Sequence, residues 1–199
     1  MSADIVDLVF ALRGEAVALD YADRLWRALS ARLPWLADDA AVGVHPLTGV
    51  STGDRELYLT HRAKLTLRLP AERVEAARAL TGTRLDVAGD IEVGAASIKS
   101  LSPIKTLYSS FVTVGVDAEA DFLAVCESGL ATAGIRARLV CGKAHVGRGQ
   151  DGEWRGFSLM LVGLTVEDSL RMQREGLGGE RKRGCGIFIP HKSVAAVGE

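Results

Sequence analysis

The sequence predicts an α+β protein made of two tandem ferredoxin-like units, each reading strand, helix, strand, strand, helix, strand. Three observations carry this. That element order occurs twice along the 199 residues. A short proline-containing stretch, Ser100 to Lys105, separates the two readings. Helical and extended segments are also punctuated throughout by glycine and proline, which end helices, and proline has no N–H to continue a ladder. The first unit is assigned to residues 1–99, the linker to 100–105 and the second unit to 106–199. The repeat is one of element order, with little residue-by-residue likeness between the halves.

In the first unit, Ile5 to Leu12 (IVDLVFAL) is apolar and β-branched and reads as a strand, broken by Gly14. Asp20 is placed to cap a helix with Asp23 in its first turn. Leu25, Leu29 and Leu33 recur at helical spacing, and Pro34 helps to end the helix. A short strand over Ala41 to His45 stops at Pro46. Thr48 to Asp54 reads as a loop, and Glu56 to Leu69 as a strand. The second helix is expected over Ala71 to Leu80, opened by Pro70 and closed by Gly82. Leu85 and Val87 then face Ile91 and Val93 across a hairpin turn at Ala88-Gly89-Asp90.

The second unit starts with a strand over Thr106 to Val114. Asp117 is placed to cap a helix that runs to about Ala133 and ends at Gly134. Arg136 to Cys141 and Gly156 to Leu164 read as strands joined through a flexible Gly147 to Gly152 loop. Thr165 and Asp168 form a start like a capping box, so a helix from Val166 to about Arg174 follows. Cys185 to Ile189 is the last strand, stopped by Pro190.

The composition is that of a globular domain with a real core, 48% hydrophobic and 25% charged. No apolar run is long enough to span a bilayer, and MSADIVDLVF lacks the basic start and cleavage site of a signal peptide. A cytoplasmic location is the expectation. Three widely spaced cysteines, Cys126, Cys141 and Cys185, argue against a disulfide framework or zinc site and for reduced thiols. The net charge of −1 excludes binding of a polyanion by bulk attraction, so any nucleic-acid contact must be a local patch.

The most distinctive segment is GLGGERKRGCGIF from Gly176. It holds Gly176, Gly178, Gly179, Gly184 and Gly186 around three consecutive cations, Arg181, Lys182 and Arg183. Glycine allows positive φ and close backbone approach, successive amides can form an anion-binding nest, and the cations add charge-assisted contacts to phosphate. On the residues alone, a mobile helix-to-strand turn with solvated charges explains the segment equally well. It is not a P-loop, lacking the Gly-Lys-Ser/Thr ending. It is not a dinucleotide fingerprint either, because it precedes a strand.

A glycine-rich basic loop before the last strand of a second ferredoxin-like unit resembles the CRISPR-associated precursor-crRNA processing endoribonucleases of the repeat-associated (RAMP) superfamily. Residues 167–190, EDSLRMQREGLGGERKRGCGIFIP, resemble the MYXAN-type branch of that family in particular. So do LVFALRG at 8–14 and GVHP at 43–46. The resemblance covers nearly the whole chain. It implies metal-independent cleavage of CRISPR repeat RNA, without a cofactor. In that reaction the ribose 2′-hydroxyl attacks the adjacent phosphate and leaves a 2′,3′-cyclic phosphate and a 5′-hydroxyl. The RNA partner is a repeat precursor, expected to form a hairpin, and other CRISPR effector subunits are further candidate partners.

Such chemistry needs proton carriers, and histidine titrates in the right range. Of four histidines, His45 in GVHP sits where the resemblance places a catalytic histidine; on its residues alone it reads as a structural strand-end side chain. His145, in KAHVGRG with Lys143 and Arg148 nearby, is the second choice. His61 is expected on a sheet surface, and His191 near the tail is incidental. Family members often pair the histidine with a tyrosine or lysine; the nearest tyrosine is Tyr21, at the start of the first helix. Ser51 and Thr52, in the loop after His45, are further candidate phosphate contacts. Arg62, Lys64 and Arg68 alternate along one strand, as do Arg136 and Arg138 along another, and these stripes suit a reader of RNA backbone and shape; a solvated sheet face explains Arg62, Lys64 and Arg68 equally well. No acidic cluster has metal-ligand spacing, so no metal is invoked. Two other functions fit the same chain: a non-catalytic crRNA-binding subunit, and a tandem ferredoxin-like module that binds a small metabolite.

Overall fold

The computed structural model describes residues 4–51 and 56–192. Two compact units are present. One runs through Leu101 and also takes in Gly147–Trp154 and Glu180–Gly184; the other holds Ser102–Val146, Arg155–Gly179 and the chain from Cys185.

The first unit begins with β1 (Ile5–Arg13), β2 (Ala16–Ala18), α1 (Tyr21–Arg32), α2 (Trp35–Asp38) and β3 (Gly43–Val44). It continues with β4 (Val50–Ser51), β5 (Glu56–Tyr58), β6 (Lys64–Pro70), α3 (Val74–Ala77), β7 (Arg84–Asp86) and β8 (Asp90–Ser100). An antiparallel sheet has the order β3-β6-β1-β8-β7. With β7 set aside as the hairpin partner of β8, this is the ferredoxin-like order of second, third, first and fourth strands. Period-two alternation in β1 sends Val6, Leu8, Phe10 and Leu12 into the core. Leu8 pairs with Leu67 and Ile98, and Phe10 with Leu65. Leu25 and Leu29 of α1 complete the packing. Asp20 occupies the N-cap position of α1, but its side chain makes no capping bond.

Several elements differ from expectation. The single strand expected over Glu56 to Leu69 is divided, because β5 joins β2 and β4 in a small separate sheet while β6 joins the main one. His61 and Arg62 fall in the turn between them. The loop expected over Thr48 to Asp54 contains β4, and its later residues lie outside those described. The second helix is a single α-turn, Val74–Ala77, flanked by 3-10 turns.

The second unit contains β9 (Thr106–Val112), α4 (Glu119–Thr132), β10 (Arg138–Gly149) up to Val146, β11 (Gly152–Val162) from Arg155, α5 (Val166–Glu175) and β12 (Ile189–Pro190). Its sheet order, β10-β11-β9-β12, repeats the ferredoxin-like pattern. Phe122, Cys126 and Leu130 of α4 pack with Phe157, Leu159, Met172 and Phe188, and the Phe122 and Phe157 rings lie 4.9 Å apart. The Asp168 amide donates to the Thr165 hydroxyl at 3.1 Å, the expected cap of α5. The N-cap of α4 is Ala118, one residue after the expected Asp117. The Gly147 to Gly152 segment is not a loop: cross-strand pairing carries β10 to Gly149 and resumes at Gly152, so a long hairpin replaces it. The last strand begins only at Ile189, because Gly184 and Gly186 hold positive φ and the chain straightens afterwards, and Pro190 lies within it instead of stopping it. The three cysteines form no disulfide, and burial, with smaller contributions from Cys141 and Glu127, pushes the Cys126 thiol up to about 12, which makes it unreactive.

Candidate active site

His45 directly follows the two-residue strand β3. β3 pairs with β6, and the His45 amide donates to Thr66 O at 2.9 Å. Pro46 then has no N–H to offer, so the ladder stops there. The next amide, Leu47, donates instead to the Tyr21 hydroxyl at 2.7 Å. The histidine is thus held from both sides, by a sheet edge and by the first residue of α1.

The register brings a carboxylate beside it. Asp7 in β1 lies opposite Arg68 in β6. Arg68 is 0% exposed and donates to Asp7 through two nitrogens, Nε at 2.7 Å and NH2 at 2.9 Å. This parallel pair of charge-assisted bonds suits a buried guanidinium. The His45 Nε2 lies 3.3 Å from Asp7 Oδ1. An ionised carboxylate only accepts, so Nε2 carries the proton and Nδ1 is the bare nitrogen. Burial alone would raise the Asp7 pKa, but the hydrogen bonds from His45 and Arg68 outweigh it and hold the carboxyl well below its usual range. Burial pulls the His45 imidazole below its ordinary value; Asp7 pushes back, and the Arg68 and Arg181 cations add to the lowering. The ring is therefore neutral near pH 7, a poised proton acceptor.

The basic turn belongs to the same unit. Arg181–Arg183 form a 3-10 turn between Glu180 and Gly184, both left-handed, and the turn packs beside α1 and β3. A Cβ on Gly184 would sit 3.3 Å from the Pro46 ring. Arg183 donates through Nε to Asp23 at 2.8 Å, through NH1 to Glu180 at 2.6 Å and through NH2 to Asp151 at 3.3 Å. Its guanidinium also stacks 5.4 Å from the Trp154 ring. Lys182 donates to Ala37 O and lies 5.3 Å over Trp26. The sequence offers all three cations to phosphate, whereas in the structure these bonds of Lys182 and Arg183 hold the turn. Arg181 is the cation whose charge acts on His45.

The glycines also act differently from an open nest of amides. Gly179 N–H donates to Thr113 O at 2.9 Å and Gly186 N–H to Phe111 O at 2.7 Å, so both are satisfied by backbone. Gly178, at φ +80°, comes so close to Thr113 that a Cβ would lie 2.1 Å from its carbonyl oxygen. Gly176 ends α5 at positive φ. These glycines chiefly permit close chain packing within the second unit.

The remaining expected site residues are scattered. Arg62 and Lys64 are exposed, but Arg62 lies in the turn before β6. Arg68 is no part of a surface stripe, because Asp7 draws it into the interior. Arg136 and Arg138 are exposed, and only Arg138 lies in β10. His145 lies within β10, not in a loop; its ring is 5.5 Å from Phe111, and burial with the Lys143 charge lowers its pKa. His61 is exposed in a turn, not on a strand, and His191 sits 5.5 Å from the Tyr108 ring. Ser51 lies in β4, and Thr52 falls outside the described residues.

Two residues escaped the sequence reading. Asp7 was visible as a lone carboxylate inside an apolar strand, a placement that demands a partner. Asp23 was read as a helix-start charge, yet it is 3% exposed and accepts from Arg183, from Arg27 at 3.1 Å and from the Gln150 amide at 3.4 Å. Beside it, Arg24, Arg27 and Arg148 line an open cleft.

Comparison with known proteins gives a consistent picture. The Cas6 family model, described as Cas6 Crispr, matches residues 6–193. A CRISPR-associated endonuclease Cas6 of Myxococcus xanthus (strain DK1622) is 39% identical over 195 residues, covering 96% of this chain and 84% of that protein. Among solved structures, a CRISPR associated protein Cas6 superposes with a TM-score of 0.66 at 11% identity, covering 95% of this chain and 100% of that one. A RAMP protein binding different RNA substrates follows with a TM-score of 0.62 at 12% identity, covering 94% and 98%. At such identities the solved structures speak for the fold, while the family model and the close relative speak for descent: the chain belongs to the Cas6 family of CRISPR-associated endonucleases.

Proposed function

We propose that this protein is the endoribonuclease that cuts CRISPR repeat RNA into crRNA, and that His45 is its general base. The carrying observation is the geometry at His45: its Nε2 lies 3.3 Å from the Asp7 carboxylate, which leaves Nδ1 to act, beside a turn of three cations. Nδ1 takes the proton of the ribose 2′-hydroxyl. The 2′-oxygen forms a bond to the adjacent phosphorus, and the bond from phosphorus to the 5′-oxygen breaks. The leaving 5′-oxygen takes up a proton from solvent, which gives a 2′,3′-cyclic phosphate and a 5′-hydroxyl. Arg181 stabilises the extra negative charge of the phosphorane. The exposed Arg62, Lys64, Arg136 and Arg138 are assigned to the RNA backbone, where contacts set position and salt dependence.

The test is cleavage of repeat RNA in EDTA. Native protein yields cyclic-phosphate ends, and RNA with a 2′-deoxy residue at the scissile nucleotide stays intact. His45→Ala loses about 10²- to 10⁴-fold in rate while binding RNA within a few-fold of native, and His145→Ala retains cleavage. Native-rate cleavage by His45→Ala refutes the assignment. Tight binding without any cleavage by the native protein makes it a crRNA-binding subunit instead.

A further inference from the structure

We infer that Asp7, itself clamped by Arg68, is the positioning residue that selects the reactive tautomer of His45 and aims its bare nitrogen at the RNA; this rests on the reading of His45 as the base. Three features of the geometry argue for it. The carboxylate Oδ1 is shared, accepting from Arg68 Nε at 2.7 Å and lying 3.3 Å from His45 Nε2. Its other oxygen is held by Arg68 NH2 at 2.9 Å, so the carboxylate plane cannot swing. β1 and β6 supply these two residues from directly paired positions in the sheet, which is a rigid origin for a side-chain constellation.

A buried Asp and Arg could instead serve stability alone. Replacing such a pair by apolar groups is often neutral or stabilising, so stability is a weak reason for its presence. The third member gives a better one. Without an acceptor at Nε2, neutral imidazole is free to place its proton on either nitrogen and to rotate about its side-chain bonds. With Asp7 present, the proton sits on Nε2 and Nδ1 is left to act. The charged groups acting on the ring are Asp7 from β1, Arg68 from β6 and Arg181 from the basic turn. Asp7 alone favours the imidazolium that forms as the 2′-hydroxyl gives up its proton, so it also stabilises the product of that transfer.

The experiment measures single-turnover cleavage of repeat RNA against pH at saturating protein, with RNA affinity measured separately. Asp7→Asn is expected to lower the rate constant at least tenfold and to leave affinity within about threefold. It is also expected to move the acid limb of the pH profile downward, because the group favouring imidazolium is gone while Arg68 and Arg181 remain. Loss of packing alone would lower the active fraction without moving that limb. Asp7→Asn leaves a buried cation short of its partner, so Asp7→Asn/Arg68→Gln serves as the second variant. It removes both charges; the limb still moves downward, by less, because Asp7 acts on the ring more strongly than Arg68. Folded variants with native rate and native acid limb overturn the inference. If His45→Ala cleaves at the native rate, the reading of His45 falls instead; if His45→Ala is inactive while the Asp7 variants behave as native, only the role of Asp7 falls.

Discussion

Replacing Asp23 with asparagine should loosen the basic turn from inside. Asp23 is almost fully buried and accepts from Arg183, Arg27 and the Gln150 amide, at 2.8, 3.1 and 3.4 Å. Asparagine keeps one acceptor oxygen, loses the charge and turns an N–H₂ toward groups that are themselves donors. A hydrogen bond to a charged group contributes about 1.5–3 kcal/mol against about 1 kcal/mol for a neutral one. Arg183 retains Glu180, and it retains Asp151 only weakly because that carboxylate is 89% exposed. The net loss is set at about 2–3 kcal/mol, which for a chain of this size lowers Tm by roughly 4–12 °C. Thermal unfolding of native, Asp23→Asn, Arg183→Gln and the double variant gives the coupling directly. The double variant should be less unstable than the sum of the singles by about 1–2 kcal/mol. Repeat-RNA cleavage should fall about tenfold in Asp23→Asn, because Arg181 rides on the turn that Arg183 anchors. A Tm within 1 °C of native (~0.3 kcal/mol) together with strictly additive singles would refute the anchoring argument.

Gly178→Ala should lower stability by more than about 2 kcal/mol, since the left-handed backbone penalises Cβ and the new atom meets Thr113 O. Gly179→Ala is its control and should be near neutral, because nothing lies within 4 Å of the added carbon. Near-equal Tm values for the two variants would count against the packing role given to these glycines. Stability should also decline steadily in acid. The His45 pKa is lowered on folding from 6.5, so the unfolded chain binds the extra proton and stability falls as pH drops below about that value. Asp7 is lowered from 3.8, so its contribution, full above that pH, is lost as pH falls further. Both slopes have the same sign. A Tm scan from pH 8 to pH 4 should show the decline, His45→Gln should flatten its upper part, and a flat native curve between pH 6.5 and 5 would contradict it.

The architecture was legible because it rests on local signals. Alternating apolar residues in β1, the Thr165 cap and the glycines after α4 and α5 each act within a few residues. Where the reading failed, a distant group had intervened. Nothing near Arg68 in sequence announces Asp7, and its alternation with Arg62 and Lys64 pointed to a surface. Only the register between β1 and β6 shows that the guanidinium turns inward. The Gly147 to Gly152 segment looked flexible by composition, yet cross-strand pairing between β10 and β11 overrides a glycine's weak strand preference. The basic turn was read as a free phosphate cradle because Asp23, Trp26 and Trp154, which hold it, lie 160, 156 and 29 positions away in number. His45 could be singled out from its motif, but its partner could not.

The membership of Glu180–Gly184 in the first compact unit has a temporal meaning. A ribosome delivers His45, Asp7 and Arg68 early, and the first sheet can close as soon as β8 has emerged. The turn that carries Arg181 arrives only after residue 184 has been added, when almost the whole second unit has been made. Until then Asp23 waits for Arg183, and Trp26 for Lys182. A nascent chain therefore holds His45 with Asp7 and Arg68 long before Arg181 can join them in the same unit.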